Sequence, residues 1–246
     1  MDILEFLNDN RVIVGESTFP KEKAKKNIIN TNEQISLVVE IQKILIGRKT
    51  TMLPRIESSI GKDIANFIVQ IKKIEKMIEI LDEKNKKSNF DYFIIEEGNK
   101  ALDRAKNSLN SLNDKEYLEL IMRSMNNYEI CLGRVDEGNL IKINNIINIR
   151  TIRYLSYNLL ENDCYNYIKR LRKKGIDINT EEIINCFLNK WNLDDKSLRY
   201  INVLANYPIE SMKLLLKLKY DKSKFTEEQW IEQINLSKKI DGKELL

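Results

Sequence analysis

A mainly α-helical fold with one small β-hairpin, at about residues 139–153, is what this sequence predicts, and three observations predict it. Apolar residues recur at three- and four-residue spacing over long stretches, as in Ile64, Ile68, Ile71, Ile74, Ile78 and Leu81, which places them on one helical face. Only 8 Gly and 3 Pro occur in 246 residues, so few turns interrupt those stretches. Between Ile130 and Ile152 the pattern changes to β-branched clusters, NLIKI and INIRTI, separated by Asn144-Asn145. Two short strands joined by a tight turn fit that segment.

Taken in order, Thr31-Asn-Glu-Gln34 reads as a capping box that opens a helix carrying Ile35, Val38, Val39, Ile41 and Leu45, closed by Gly47. Residues 48–59 form a loop around Pro54. Helices are expected over about 63–82, 91–112 and 114–125. The hairpin follows. Beyond it, helices are expected over about 162–174, ended by Gly175, then 180–190, 195–206, 208–217 with Pro208 at its first position, and 226–239 after Thr226. Residues 1–30 read as an N-terminal extension and 31–246 as a single helical domain.

With 42% hydrophobic and 32% charged residues the chain has the composition of a folded globular protein. Its net charge of +4 is too small to point to nucleic acid, which draws a concentrated basic face. The basic runs are local: Lys21–Lys26, Lys84–Lys87 and Lys169–Lys174. The last falls at a helix end, where cations favour the dipole, and reads as a solvated terminus. No histidine is present, which excludes Ser-His-Asp triads and imidazole chemistry. Cys131, Cys164 and Cys186 lack metal spacing and sit among apolar neighbours, as packing residues do. MDILEFLNDN is not a signal peptide, and no segment approaches the roughly 18 apolar residues of a membrane span.

The stretch ICLGRVDEGNL then carries a family likeness. The chain, from about residue 33 to 220, resembles the helical lobe of CotS-type spore coat proteins, in the aminoglycoside phosphotransferase and choline kinase group of protein-kinase-like folds. Members have an apolar-Cys-His-Gly-Asp turn followed by Asn-Leu. Here Cys131 and Gly133 are kept, Leu132 replaces the His, Arg134 replaces the Asp, and Asn139 keeps its five-residue offset. At the end of the hairpin, where members have Ile-Asp-Phe-Asp-Tyr, RTIRY supplies Thr151, Ile152, Arg153 and Tyr154. Asp163 matches a family Asp that opens a helix, and Tyr207-Pro208 a later aromatic-Pro step.

The resemblance implies a kinase-like helical lobe whose chemistry has been removed. In such transfer one loop Asp accepts the substrate proton, while a second Asp and an Asn hold Mg²⁺. Arg134 cannot be a base, because guanidinium stays protonated. Thr151 brings no anionic oxygen to a hard dication, and Arg150 and Arg153 add positive charge beside it. Asn139 is read as a brace making hydrogen bonds to backbone, and Asp136 and Glu137 as solvated turn acids. No Gly-x-Gly-x-x-Gly occurs, and the residues before 33 are too few for a five-stranded β lobe. The expectation is therefore an enzyme frame without catalytic residues, cofactor or metal. It implies an inactive scaffold or assembly protein whose partners are spore coat proteins or itself, placed in the mother-cell cytoplasm and the spore coat. The other reading is a metal-free site for an anion or phosphorylated ligand at Arg134, Arg150 and Arg153.

Overall fold

The computed structural model describes residues 2–19, 30–47 and 55–243. The Lys21–Lys26 run and the loop centre at Pro54 lie outside the described residues. Two compact units are present: Met1–Ile60, Asp114–Leu171 and Asp177–Ile201 form the first, and Gly61–Asn113, Arg172–Ile176 and Asn202–Leu246 the second. Segments of the expected 31–246 domain occur in both, and the expected 1–30 extension falls in the first.

In the first unit, α1 (Ile3–Asp9) leads into β1 (Val12–Val14) and a short 3₁₀ turn, Glu16–Thr18. Then come α2 (Thr31–Leu45), β2 (Glu57–Ser58), α5 (Asp114–Asn127), β3 (Ile130–Cys131), β4 (Leu140–Ile143), β5 (Ile146–Ile149) and β6 (Ser156–Tyr157). Helix α6 (Glu161–Lys173) lies in this unit to Leu171, α7 (Thr180–Trp191) lies wholly within it, and α8 (Asp195–Asn206) lies in it to Ile201.

The expected hairpin forms as β4 and β5, antiparallel with Leu140 opposite Ile149 and Ile143 opposite Ile146. Its two-residue turn requires φ > 0 at both central positions, and Asn144 and Asn145 take 49° and 63°, which Asn tolerates better than other side chains. Strand β1 pairs in parallel with β5 on the other side, so a strand from the N-terminal thirty residues completes this sheet. A second small sheet runs in the order β2-β6-β3 and carries the start of the Cys131–Asn139 turn.

Helix α2 buries Ile35, Val38, Val39, Ile41 and Leu45, as its periodicity requires. Its cap differs from the capping box read at Thr31. The side chain of Asn30 accepts from the Glu33 N–H, while Gln34 turns inward and donates to the carbonyls of Val135 and Leu140. With the cap one residue earlier, an orphan N–H of the first turn is still satisfied and the Gln34 side chain is released to the interior.

The second unit holds α3 (Lys62–Asp82), α4 (Asn89–Asn110), α9 (Ile209–Tyr220) and α10 (Glu227–Asp241). The stripe of α3 is corrected in part: Ile68 is 42% exposed and Leu81 only partly buried, while Phe67 and Met77 are buried with Ile64, Ile71, Ile74 and Ile78. Helix α4 begins with a complete Ser88–Asp91 capping box. A Cβ at Gly98 would meet the Ile78 side chain at 2.6 Å, so glycine is what allows α3 and α4 their close approach. Tyr207 stacks on Phe67 with centroids 3.6 Å apart. Pro208 is the N-cap of α9, one place earlier than read. A proline has no capping side chain, and buried Asp241 supplies the function by accepting from the N–H groups of Glu210 and Ser211.

Candidate functional site: a braced loop

The candidate site lies in the first unit, on the turn from Cys131 to Asn139. Leu132 is fully buried. Its N–H donates to Asp163 Oδ2 at 2.9 Å, and the N–H of Gly133 donates to Asp163 Oδ1 at 2.8 Å. Gln42 from α2 adds a third donor at 3.0 Å. One carboxylate in the first turn of α6 thus holds two successive backbone amides of the loop. Burial pushes the Asp163 carboxyl up to about 6 even though all three donors favour the charged form. Gly133 has φ of 75°, and a Cβ there would lie 2.7 Å from the Tyr154 carbonyl oxygen, so both conformation and space demand glycine.

A second brace stands behind the first. Arg123 of α5 donates Nε and Nη2 to both oxygens of Glu129 at 2.8 and 3.1 Å. The same Nη2 reaches Glu161 at 2.8 Å, and Ser197 links Arg123 to the other oxygen of Glu161. Glu129 and Glu161 are at most 1% exposed. Both acids have been taken from water, so each depends on this one guanidinium. The Arg123 pKa is raised: burial opposes its charge, but the two carboxylates outweigh burial. Cys131 donates its thiol to the Leu159 carbonyl, and burial pushes the Cys131 and Cys164 thiols well up. Neither is a nucleophile in that state.

The structure brings Arg134, Asn139 and Thr151 together. Asn139 Nδ2 donates to the carbonyls of Arg134 and Thr151 at 2.7 and 3.2 Å, and Asn139 Oδ1 accepts from the Thr151 N–H at 3.0 Å. Its side chain is therefore engaged on both ends by backbone, and the Arg150 N–H donates to its own carbonyl at 2.9 Å. The Thr151 hydroxyl accepts from the Arg153 N–H.

The arginines are distributed among different neighbours. Arg134 Nε donates to Asp136 Oδ1 at 3.2 Å. Arg150 stacks over Phe19 with its Nε buried and unpaired among the described residues. Arg153 lies over the Tyr154 ring.

The reading of Asp136 and Glu137 as solvated acids is corrected. Asp136 is 2% exposed and also accepts from Arg170 Nε at 3.2 Å, while half-buried Glu137 accepts from the Tyr167 hydroxyl at 2.8 Å. The run Lys169–Lys174 is corrected with it. Arg170 goes to Asp136, Arg172 to the carbonyls of Ala205 and Asp241, and Lys173 to Glu210. Apolar residues on the opposite face of α6 make these cations look solvated in sequence, whereas their carboxylate and carbonyl partners come from distant segments. Among the described residues no group of three or more Cys, Asp or Glu is placed to hold a metal ion.

No protein-family model and no curated protein matches this chain. Among solved structures it is similar to an aminoglycoside phosphotransferase from Alicyclobacillus acidocaldarius subsp. acidocaldarius DSM 446. The TM-score is 0.67 at 12% identity, covering 86% of this chain. The chain spans 62% of the length of that protein. At such low identity the likeness speaks for the fold alone.

Proposed function

We propose that the protein is a catalytically inactive, kinase-like scaffold or assembly protein that works in or around the spore coat. The observation that carries the loss of catalysis is the occupancy of the loop: a guanidinium, Arg134, stands where a proton acceptor is needed, and Asn139 is spent on backbone. Neither group can orient a hydroxyl or recruit Mg²⁺ in that state. The spore assignment rests on the resemblance of residues 33–220 to CotS-type proteins.

An assembly role is supported by α5. Leu118, Met122 and Met125 follow one another at i, i+4 and i+7 and are 54–59% exposed. Apolar stripes of this kind occur where proteins meet other proteins. Among the described residues no helix is long and apolar enough to cross a membrane. The reading is tested in the organism that carries the gene, by crosslinking with mass spectrometry through sporulation and by extraction of spore coats. Recovery in the coat fraction with crosslinks from α5 to a coat protein or to a second copy is expected. A protein absent from spores and strictly monomeric, with no crosslinked neighbour, contradicts it.

A further inference from the structure

We propose that Arg134 and Arg170 together form a binding site for a phosphate dianion, free or as a phosphomonoester. The two side chains approach the carboxylate of Asp136 from different oxygens, each through Nε alone at 3.2 Å. Neither forms the two-bond fork that guanidinium makes with carboxylate when fully engaged. The Nη edge of each has no hydrogen bond among the described residues, and the side chains remain 34% and 47% exposed. Buried Asp136 is thus a central post that fixes two guanidinium planes, while their outer edges face solvent. That is preorganisation: the entropy of ordering two long side chains is already spent before a ligand arrives.

Gly138 keeps the post accessible to both arginines. A Cβ there would lie 3.1 Å from Arg134 Nη2 and 3.1 Å from Asp136 Oδ2, so any side chain would press into the clasp. The local charge also favours an anion. Arg134, Arg150, Arg153 and Arg170 outnumber Asp136 and Glu137, and Glu137 is already held by the Tyr167 hydroxyl. The ligand that two planar donor edges fit is a tetrahedral oxyanion with several acceptor oxygens. The site does not depend on whether the protein assembles with others.

Calorimetric titration of the full chain with inorganic phosphate and with phenyl phosphate, at constant ionic strength, tests this. Saturable binding is expected. Tighter binding of phenyl phosphate identifies a monoester ligand, and equal binding identifies free phosphate. Arg134→Gln and Arg170→Gln should each weaken binding at least tenfold, whereas Arg199→Gln, at a guanidinium paired with Glu116, should leave it unchanged. Because either variant strips a partner from buried Asp136, Arg170→Lys serves as a second probe: it keeps the charge, loses the fork, and should still bind several-fold more weakly. On the unaltered protein, phenyl phosphate affinity should rise with pH through its second ionisation at about 6, while sulfate affinity should not. Absence of saturable binding, retention of binding in both glutamine variants, or a flat pH profile for phenyl phosphate overturns the proposal.

Discussion

Two parts of one loop differ in how they are held. Behind the loop, Asp163 holds the amides of Leu132 and Gly133, and Arg123 ties Glu129 to Glu161, all deep in the first unit. On its more open side stand Arg134, Arg150, Thr151 and Arg153, none of which offers an anionic oxygen; of these Arg153 is exposed, whereas Arg150 keeps its Nε buried. A buried carboxylate with three donors cannot be exchanged without leaving those donors unmet. An exposed position can change charge at little cost to folding. The contrast teaches that the bracing of a loop and the chemistry offered on its surface are under separate physical constraints.

That contrast makes graded predictions, all read by urea denaturation. The largest effect belongs to Arg123→Ala, which strands Glu129 and Glu161 in the interior and should cost about 3–5 kcal/mol. A cost under 1 kcal/mol would mean that the second brace is not structural. Asp163 comes next, through pH. Its folded pKa is raised to about 6 from an ordinary value of 3.8, so between those values the folded chain holds a proton that the unfolded chain has released. Stability from this group is present below about pH 4 and is lost as pH climbs through about 6, the reverse of a salt-bridged carboxylate. The stability of the protein minus that of Asp163→Asn should fall across this window by an amount on the order of 2–3 kcal/mol. A difference that is flat or rises with pH contradicts the burial account. Asn139→Ala removes three hydrogen bonds to backbone and should cost about 1–3 kcal/mol, sharpening the claim that Asn139 is a brace. Arg153→Gln, on the open side, should stay within about 0.5 kcal/mol of the unaltered protein. If it matched Arg123→Ala, the division between frame and open face would be lost.

Much of the frame was legible in the sequence. Asn144-Asn145 between β-branched runs gave the hairpin, because few residues accept φ > 0 twice in succession. The five-residue offset of Asn139 and the position of Asp163 marked the loop and its anchor. What escaped were polar residues whose partners lie far away in the chain. Gln34 and Gln42 sit in an apolar stripe, where a glutamine gives no sign that it faces inward to a carbonyl. Arg123, Glu129 and Glu161 each look like surface charges until the fold superposes them. Arg170 was hidden in a run of cations that any solvated helix end would show, and Asp136 in a turn where acids are ordinary. Periodicity reports which face is buried; it does not report which charges find each other.

The account is tested most directly by phosphoryl transfer itself: purified protein incubated with Mg²⁺ and γ-labelled ATP, with aminoglycoside and small-alcohol acceptors, beside an Asn139→Ala control. No transfer above the rate without protein is predicted, and the control should behave identically. Turnover that disappears in Asn139→Ala would contradict it, because Asn139 would then be serving a metal ion and not the backbone of its own loop.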